Sequence, residues 1–121
     1  MSPRIPVYVM TFLLAGLPLP ASSQAPQSSA RLNCDTGPSE KIFGGGKWLV
    51  YSCDDNRTLL FVSAPQAPAF PFYFLLSPQQ GRYQLTGEGT GNRQATDAAY
   101  QELRTLSEAA IAALIAQTKA R

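Results

Sequence analysis

The first 25 residues place the strongest constraint on what the rest of the chain can fold into. Arg4 precedes an apolar run over residues 7–19, and small residues follow at Ala21, Ser22, Ser23 and Ala25. A positive flank, a short apolar segment and a small-residue cleavage site are typical of a secretory signal peptide. We therefore predict that residues 1–25 are a signal peptide. The mature protein then begins at Pro26 and works in a periplasmic or extracellular space.

Export affects the expected oxidation state of the two cysteines of the chain, Cys34 and Cys53. In an oxidising compartment two such cysteines are expected to pair as a disulfide. A domain of about 100 residues buries only about 60–65% of its unfolded surface, so its core is marginal. Closing a loop of about 20 residues stabilises a fold by roughly 3 kcal/mol in the loop-entropy model. We expect one disulfide bond between Cys34 and Cys53.

Short segments of strand composition, separated by turn residues, fill the middle of the chain. Residues 44–46 are three glycines and suggest a three-residue reversal of the chain. Residues 54–56 are Asp and Asn residues that favour a second reversal. Residues 78–81 begin with Pro and end with Gly, which predicts a third turn. Three prolines make residues 64–71 a connecting loop. Residues 87–91 contain three glycines and are predicted to be an irregular connector. The predicted strands are residues 41–43, 47–53, 57–63, 72–77 and 82–86.

The last part of the chain has helical composition. Thr96 or Asp97 is a candidate N-cap for a first helix that continues to Leu106. Ser107 is a candidate N-cap for a second helix, in which Ile111, Leu114 and Ile115 form an apolar stripe at helical spacing. The two segments are either separate helices or one kinked helix.

These elements predict an α+β fold. It consists of a small antiparallel β-meander of about four to five strands, followed by one or two C-terminal helices packed on one face, with one disulfide. Residues 26–33 are polar and predict a flexible N-terminal segment. Residues 34–121 are predicted to form a single small domain.

The strands are apolar on both faces. Trp48 and Val50 alternate with Leu49 and Tyr51, so both faces of this strand are apolar. In a sheet with one solvent-exposed face, each strand alternates apolar and polar residues. Either both faces are covered, or the second face is an interaction surface. Trp48 and Tyr51 are the candidate partner contacts, and only one of them can lie in the core. The aromatic cluster at residues 70–74 predicts a core strand with one exposed ring, with a binding platform as the alternative.

The residue inventory argues against catalysis. The chain has no histidine, which excludes Ser–His and Cys–His nucleophile pairs and most zinc sites. Both cysteines are expected in the disulfide. Asp54 and Asp55 lack further oxygen ligands at the spacing of a calcium loop. Glu88 has no carboxylate partner that can be placed at a fixed distance. We expect no catalytic residue, no metal site and no cofactor.

Charge and hydropathy bear on the partners. The formal net charge is +2 and no run of like charges occurs, so a nucleic-acid partner is not expected. No second apolar stretch is long enough to cross a bilayer, so the mature chain is expected to have no membrane span.

Residues 51–59, which run into Phe61 and Val62, resemble the first hairpin of the exported C-type lysozyme inhibitors of bacteria. In that family a Tyr-x-Cys strand turns through Asp and Gly residues into a Thr-Leu strand. The resemblance covers this hairpin alone. The family continues as β-barrel strands with inhibitory Ser and Lys motifs, whereas this chain ends in predicted helices, so no functional residue is carried over.

Together these features favour a small exported, non-catalytic binding protein of the bacterial periplasm or the extracellular space. Its partner is expected to be another protein. In the most specific form of this hypothesis, the protein inhibits a secreted hydrolase. The alternative is a structural or envelope-accessory protein with no dedicated ligand.

The signal-peptide assignment predicts the N-terminus of the exported protein. Intact-mass measurement is expected to give a chain that begins near Pro26, because the small residues before it suit the signal peptidase. A mass that matches the full chain with Met1 would contradict the assignment.

Overall fold

The structure, a computed structural model, describes residues 32–120. The predicted signal peptide, residues 1–25, lies outside the described residues. So do residues 26–31 of the predicted flexible segment.

Five antiparallel strands form one sheet in the order β1-β2-β3-β4-β5, and two helices follow them in the chain. Each strand pairs with its sequence neighbour, so the sheet is a simple meander. The predicted α+β fold is confirmed, and the two helical segments are separate helices. The elements are β1 Thr36–Phe43, β2 Gly46–Ser52, β3 Leu59–Ser63, β4 Phe72–Gln79, β5 Arg82–Gly89, α1 Arg93–Leu103 and α2 Glu108–Lys119.

The first turn is tighter than predicted. Phe43 pairs with Gly46, so the reversal contains two residues, and the prediction of a three-residue reversal is wrong. Gly44 and Gly45 have φ values of 61° and 83°, the left-handed conformation that matches the twist of a two-residue hairpin. Glycine adopts this conformation without steric penalty, which favours the shorter turn.

The disulfide between Cys34 and Cys53 is present. It joins the residues just before β1 and just after β2, so it closes the open end of the first hairpin, as predicted. The backbone N–H of Asp54 also donates to the carbonyl of Asn33 at 2.9 Å. The pairing of β1 with β2 is irregular between Thr36 and Ser39, and the disulfide holds the chain beyond this irregularity.

β5 is longer than predicted, because Gly87, Glu88 and Gly89 belong to the strand. The expectation that glycines would end the sheet here is therefore wrong. A Cβ atom at Gly87 would lie 2.7 Å from the ring of Phe74. The ring of Phe74 occupies the space that a side chain would need, so packing of the neighbouring strand compensates for the poor strand propensity of glycine.

The helix caps are partly as predicted. Asn92, rather than Thr96 or Asp97, caps α1, and its side chain accepts a hydrogen bond from the backbone N–H of Ala95. α1 ends at Leu103, short of the predicted end. Ser107 caps α2 as predicted and accepts from Ala110. Asn92 lies three residues after the end of β5, and Asn is among the preferred N-cap residues.

The core lies between the helices and one face of the sheet, which we call the inner face. The predicted stripe of α2 is buried there, where α2 contacts β1 and β2. Edge-on contact joins the rings of Phe43 and Phe61 at 5.6 Å between centroids. A buried hydrogen bond of 2.7 Å between the hydroxyls of Ser52 and Thr118 ties β2 to α2. The main core side chains are Trp48, Val50, Leu59, Phe61, Phe74, Leu76, Leu103, Ile111, Leu114 and Ile115.

The close approach of α1 to the first turn gives a stability prediction. A Cβ atom at Gly44 would lie 2.4 Å from the backbone nitrogen of Ala99, whereas one at Gly45 would meet nothing within 4 Å. We expect Gly44→Ala to lower the free energy of unfolding by about 2 kcal/mol more than Gly45→Ala does. Both glycines have positive φ, so the backbone penalty of roughly 1 kcal/mol is common to the two variants. Chemical denaturation measures the difference, and equal losses would contradict the close packing.

Candidate functional site

The face of the sheet opposite the helices, which we call the outer face, carries apolar side chains on its three central strands. The helices contact β1 and β2 from the inner side, and alternate residues of each strand point the other way. Leu49 pairs with Val62, which pairs with Tyr73, so the three side chains form a row across β2, β3 and β4. A second row follows the same strands. Its members are Tyr51, Leu60 and Leu75.

The structure separates the two predicted partner contacts. Trp48 is 1% exposed in the core, and its indole N–H donates to the carbonyl of Phe43 at 3.2 Å. Tyr51 is half-buried on the outer face. Of the two, therefore, Tyr51 is the one within reach of a partner, and its role as a contact stays a prediction.

A groove of about 590 Å³ lies at the end of the outer face nearest the proline-containing loop. Phe70 and Tyr73 line it and are 47% and 41% exposed, so two rings of the aromatic cluster are accessible, where the sequence predicted one. Leu60 and Val62 continue the groove into the rows of the outer face. The groove and the two rows form one continuous apolar surface on the same side of the sheet.

The loop that carries Phe70 is fixed by backbone hydrogen bonds. The carbonyl of Pro71 accepts from the N–H groups of Thr90 and Gly91 at 3.0 and 3.1 Å. The carbonyl of Pro68 accepts from Asn92 at 3.2 Å. These bonds hold the loop against the segment between β5 and α1, so the exposed ring is presented from a well-supported backbone.

Glu88 lies at the rim of this groove, opposite Tyr73 on the neighbouring strand. The phenol of Tyr73 donates a hydrogen bond to Oε1 of Glu88 at 3.3 Å. The negative charge of Glu88, with smaller contributions from desolvation and this hydrogen bond, raises the pKa of Tyr73 above its ordinary value. The pair adds one polar, negatively charged element to an otherwise apolar surface.

Asp55, one of the other acidic residues considered above, has a structural role. Oδ1 of Asp55 accepts from the backbone N–H groups of Arg57 and Thr58, and Oδ2 accepts from the Thr58 hydroxyl at 2.7 Å. Burial alone would raise the pKa of Asp55, but these hydrogen bonds outweigh it and lower the pKa below its ordinary value. Asp55 therefore stabilises the turn between β2 and β3.

Within residues 32–120, no three side chains of His, Cys, Asp or Glu come together in a group that could hold a metal ion. Neither α1 nor α2, the helices of the described region, is long and apolar enough to cross a membrane. Comparison of the chain with known protein families, with curated proteins and with solved structures finds no match.

Part of the apolar outer face could be predicted from the sequence. Apolar residues on both strand faces indicated that one face needed a cover or a partner, and Tyr51 was identified from that pattern. The aromatic cluster that contains Phe70 predicts a binding platform only as the alternative to a core strand, and nothing in the sequence pattern pairs Phe70 with Leu60, because the two residues belong to different elements. The register of β3 with β4 and the path of the loop before β4 together bring both residues to one groove.

The charge beside Tyr73 gives a titration prediction. We expect Glu88→Gln to lower the pKa of Tyr73 towards its ordinary value, because the neutral amide no longer opposes formation of the phenolate. NMR titration of ¹³C-labelled tyrosine measures this pKa. Glu108→Gln, on α2, is the matched control and should leave it unchanged. An unchanged or higher pKa in Glu88→Gln would show that Glu88 does not control this phenol.

Proposed function

We propose that this protein is a small exported, non-catalytic binding protein whose outer face contacts another protein. The observation that carries the proposal is the apolar surface of the three central strands, which neither α1 nor α2 covers. Contiguous exposed apolar patches are uncommon on monomeric proteins, and where they occur they mark interaction sites.

The chemistry of the surface supports a protein partner. Accessible aromatic side chains concentrate binding energy at protein interfaces, and the half-buried Tyr51 lies on the same side of the sheet as the exposed Phe70 and Tyr73. The hydroxyl of each tyrosine can remain hydrogen-bonded at the edge of an otherwise dry contact. Glu88 supplies a charged rim beside the apolar groove, which is the usual arrangement of an interface with an apolar centre.

Inhibition of a secreted hydrolase is the sharpest form of this proposal. Its support is the position of Phe70 at 47% exposure on a loop whose backbone is hydrogen-bonded to the segment after β5. A side chain held in its binding conformation loses little entropy when it enters a cleft, which favours tight inhibition. A hydrolase cleft with an apolar subsite would accept such a ring.

The second candidate is a structural or envelope-accessory protein with no dedicated ligand. The observation that favours it is that Leu49, Leu60, Val62 and Leu75 are half-buried by their own neighbours. Such a face can remain in water without a partner, because apolar atoms contribute more than half of the accessible surface of an ordinary folded protein.

Site-specific photo-crosslinking distinguishes these two functions. A photoreactive phenylalanine in place of Tyr73 is expected to give one discrete crosslinked product in the cells that export the protein. The same substitution at Tyr100 is the matched control, because Tyr100 is 37% exposed but lies on α1, on the other side of the sheet. No product at position 73, or the same product at both positions, would contradict binding through the outer face.

The captured partner then permits a quantitative test. We expect Tyr51→Ala and Tyr73→Ala each to weaken binding about 30-fold or more, as truncation of an interface hot spot does. Tyr100→Ala should leave the affinity within about threefold of the wild type. Inhibition assays on the captured partner, if it is a hydrolase, test the sharper form of the proposal. Affinities that do not change in either outer-face variant would contradict the role of this surface.

A further inference from the structure

The two edge strands of the sheet differ in how they are protected against pairing with another chain. β1 contains Pro38, which has no N–H, and its register is irregular between Thr36 and Ser39. Charged residues, proline and irregular register are the devices by which edge strands avoid association. β5 pairs regularly with β4 along its whole length, and residues 83–87 contain neither charge nor proline. Among residues 32–120 no further strand pairs with β5, so this edge is open within the described part of the chain.

The hairpin geometry determines which backbone groups of β5 point outwards. β4 and β5 are joined by a two-residue turn at Gln80 and Gly81, both with positive φ, and Gln79 pairs with Arg82. The residues that close such a turn exchange hydrogen bonds with each other, and the pattern alternates along the strand. Residues 82, 84, 86 and 88 therefore bond to β4, while Tyr83, Leu85 and Gly87 direct their N–H and C=O groups away from the sheet.

This edge is complementary to itself. In an antiparallel pair of two β5 strands centred on Leu85, each Leu85 faces Leu85 of the second copy through an outward-directed backbone pair. Arg82 then lies opposite Glu88 of the second copy, and the two-fold symmetry creates this ion pair twice. Both residues are on the outer face. Within residues 32–120, the side chain of Arg82 makes no hydrogen bond or ion pair, so its charge is available.

The same register places Tyr83 opposite Gly87 of the second copy on the inner face. An aromatic ring across from a strand glycine is a favourable cross-strand pair, and Phe74 opposite Gly87 is an example within one chain. Tyr83 and Leu85 are half-buried against the core, so the paired strands would join the two cores at their edges.

We propose that the protein forms a two-fold symmetric dimer by antiparallel pairing of β5 with β5 of a second copy, in the register centred on Leu85. The dimer contains one continuous sheet of ten strands, twice the five of a single chain. The two outer faces lie on the same side of that sheet and stay accessible, so the dimer presents two copies of the surface proposed for partner binding.

Charge reversal tests this register directly. Analytical ultracentrifugation of the purified protein between about 1 and about 300 µM is expected to show a reversible monomer–dimer equilibrium. Arg82→Glu places two carboxylates opposite each other, and Glu88→Arg places two guanidinium groups there. Each variant is expected to raise the dimer dissociation constant about tenfold. The double variant restores opposite charges and should return to within about threefold of the wild-type value.

Lys47→Glu is the matched control for the change in net charge, because Lys47 is an exposed residue of β2, far from the β5 edge. It should leave the dissociation constant unchanged. Thermal melts of all variants verify that each one is folded. A wild-type protein that stays monomeric at about 300 µM, or a dimer that neither single variant weakens, would overturn the proposal.

Hydrogen exchange provides a readout that folding alone does not change. The amides of Tyr83, Leu85 and Gly87 should exchange rapidly in the folded Arg82→Glu monomer and slowly in the wild-type dimer. The amides of Gln84 and Thr86, which bond to β4, should be protected in both. A dimer in which Tyr83, Leu85 and Gly87 remain unprotected would use another surface and would contradict the proposed pairing.

Discussion

The structure depends on one constraint: two helices of 11 and 12 residues cover a single face of a sheet whose central strands are apolar on both faces. Trp48, Phe61 and Phe74 take the covered side and form the core with the helices. The alternate side chains of the same strands are left on the outer face. The apolar outer face therefore exists because α1 and α2, the helices of residues 32–120, pack on the other side of the sheet.

The small core needs additional constraints to hold the helices on the sheet. The disulfide between Cys34 and Cys53 closes the first hairpin. Gly44 lets α1 approach the first turn, and its N–H donates to the carboxylate of Glu102 at 2.7 Å. The hydroxyl pair between Ser52 and Thr118 ties α2 to β2. The contact of Gly44 joins α1 to the first hairpin and the contact of Ser52 joins α2 to it, while the disulfide fixes the open end of the same hairpin.

The features that could be predicted from the sequence are those that depend on residues close together in the chain. Ser107 was predicted as a cap, and the stripe of α2 as buried, because capping and helical periodicity depend on a few neighbouring residues. Gly87 was misassigned because its place in β5 depends on the Phe74 ring of the adjacent strand. The groove beside Phe70 required the register of β3 and β4, which sequence patterns do not specify. The sequence also does not specify which of the two apolar faces the helices cover, because this depends on tertiary packing.

Accessibility of the two faces in solution tests this account most directly. Solvent paramagnetic relaxation enhancement of side-chain protons, with a soluble neutral gadolinium chelate, reports how close each side chain lies to water. We expect strong enhancement at Leu60, Tyr73 and Leu75 on the outer face and weak enhancement at Val50, Phe61 and Leu76 on the inner face. Equal protection of both sets would show that the outer face is covered, and would contradict the central claim.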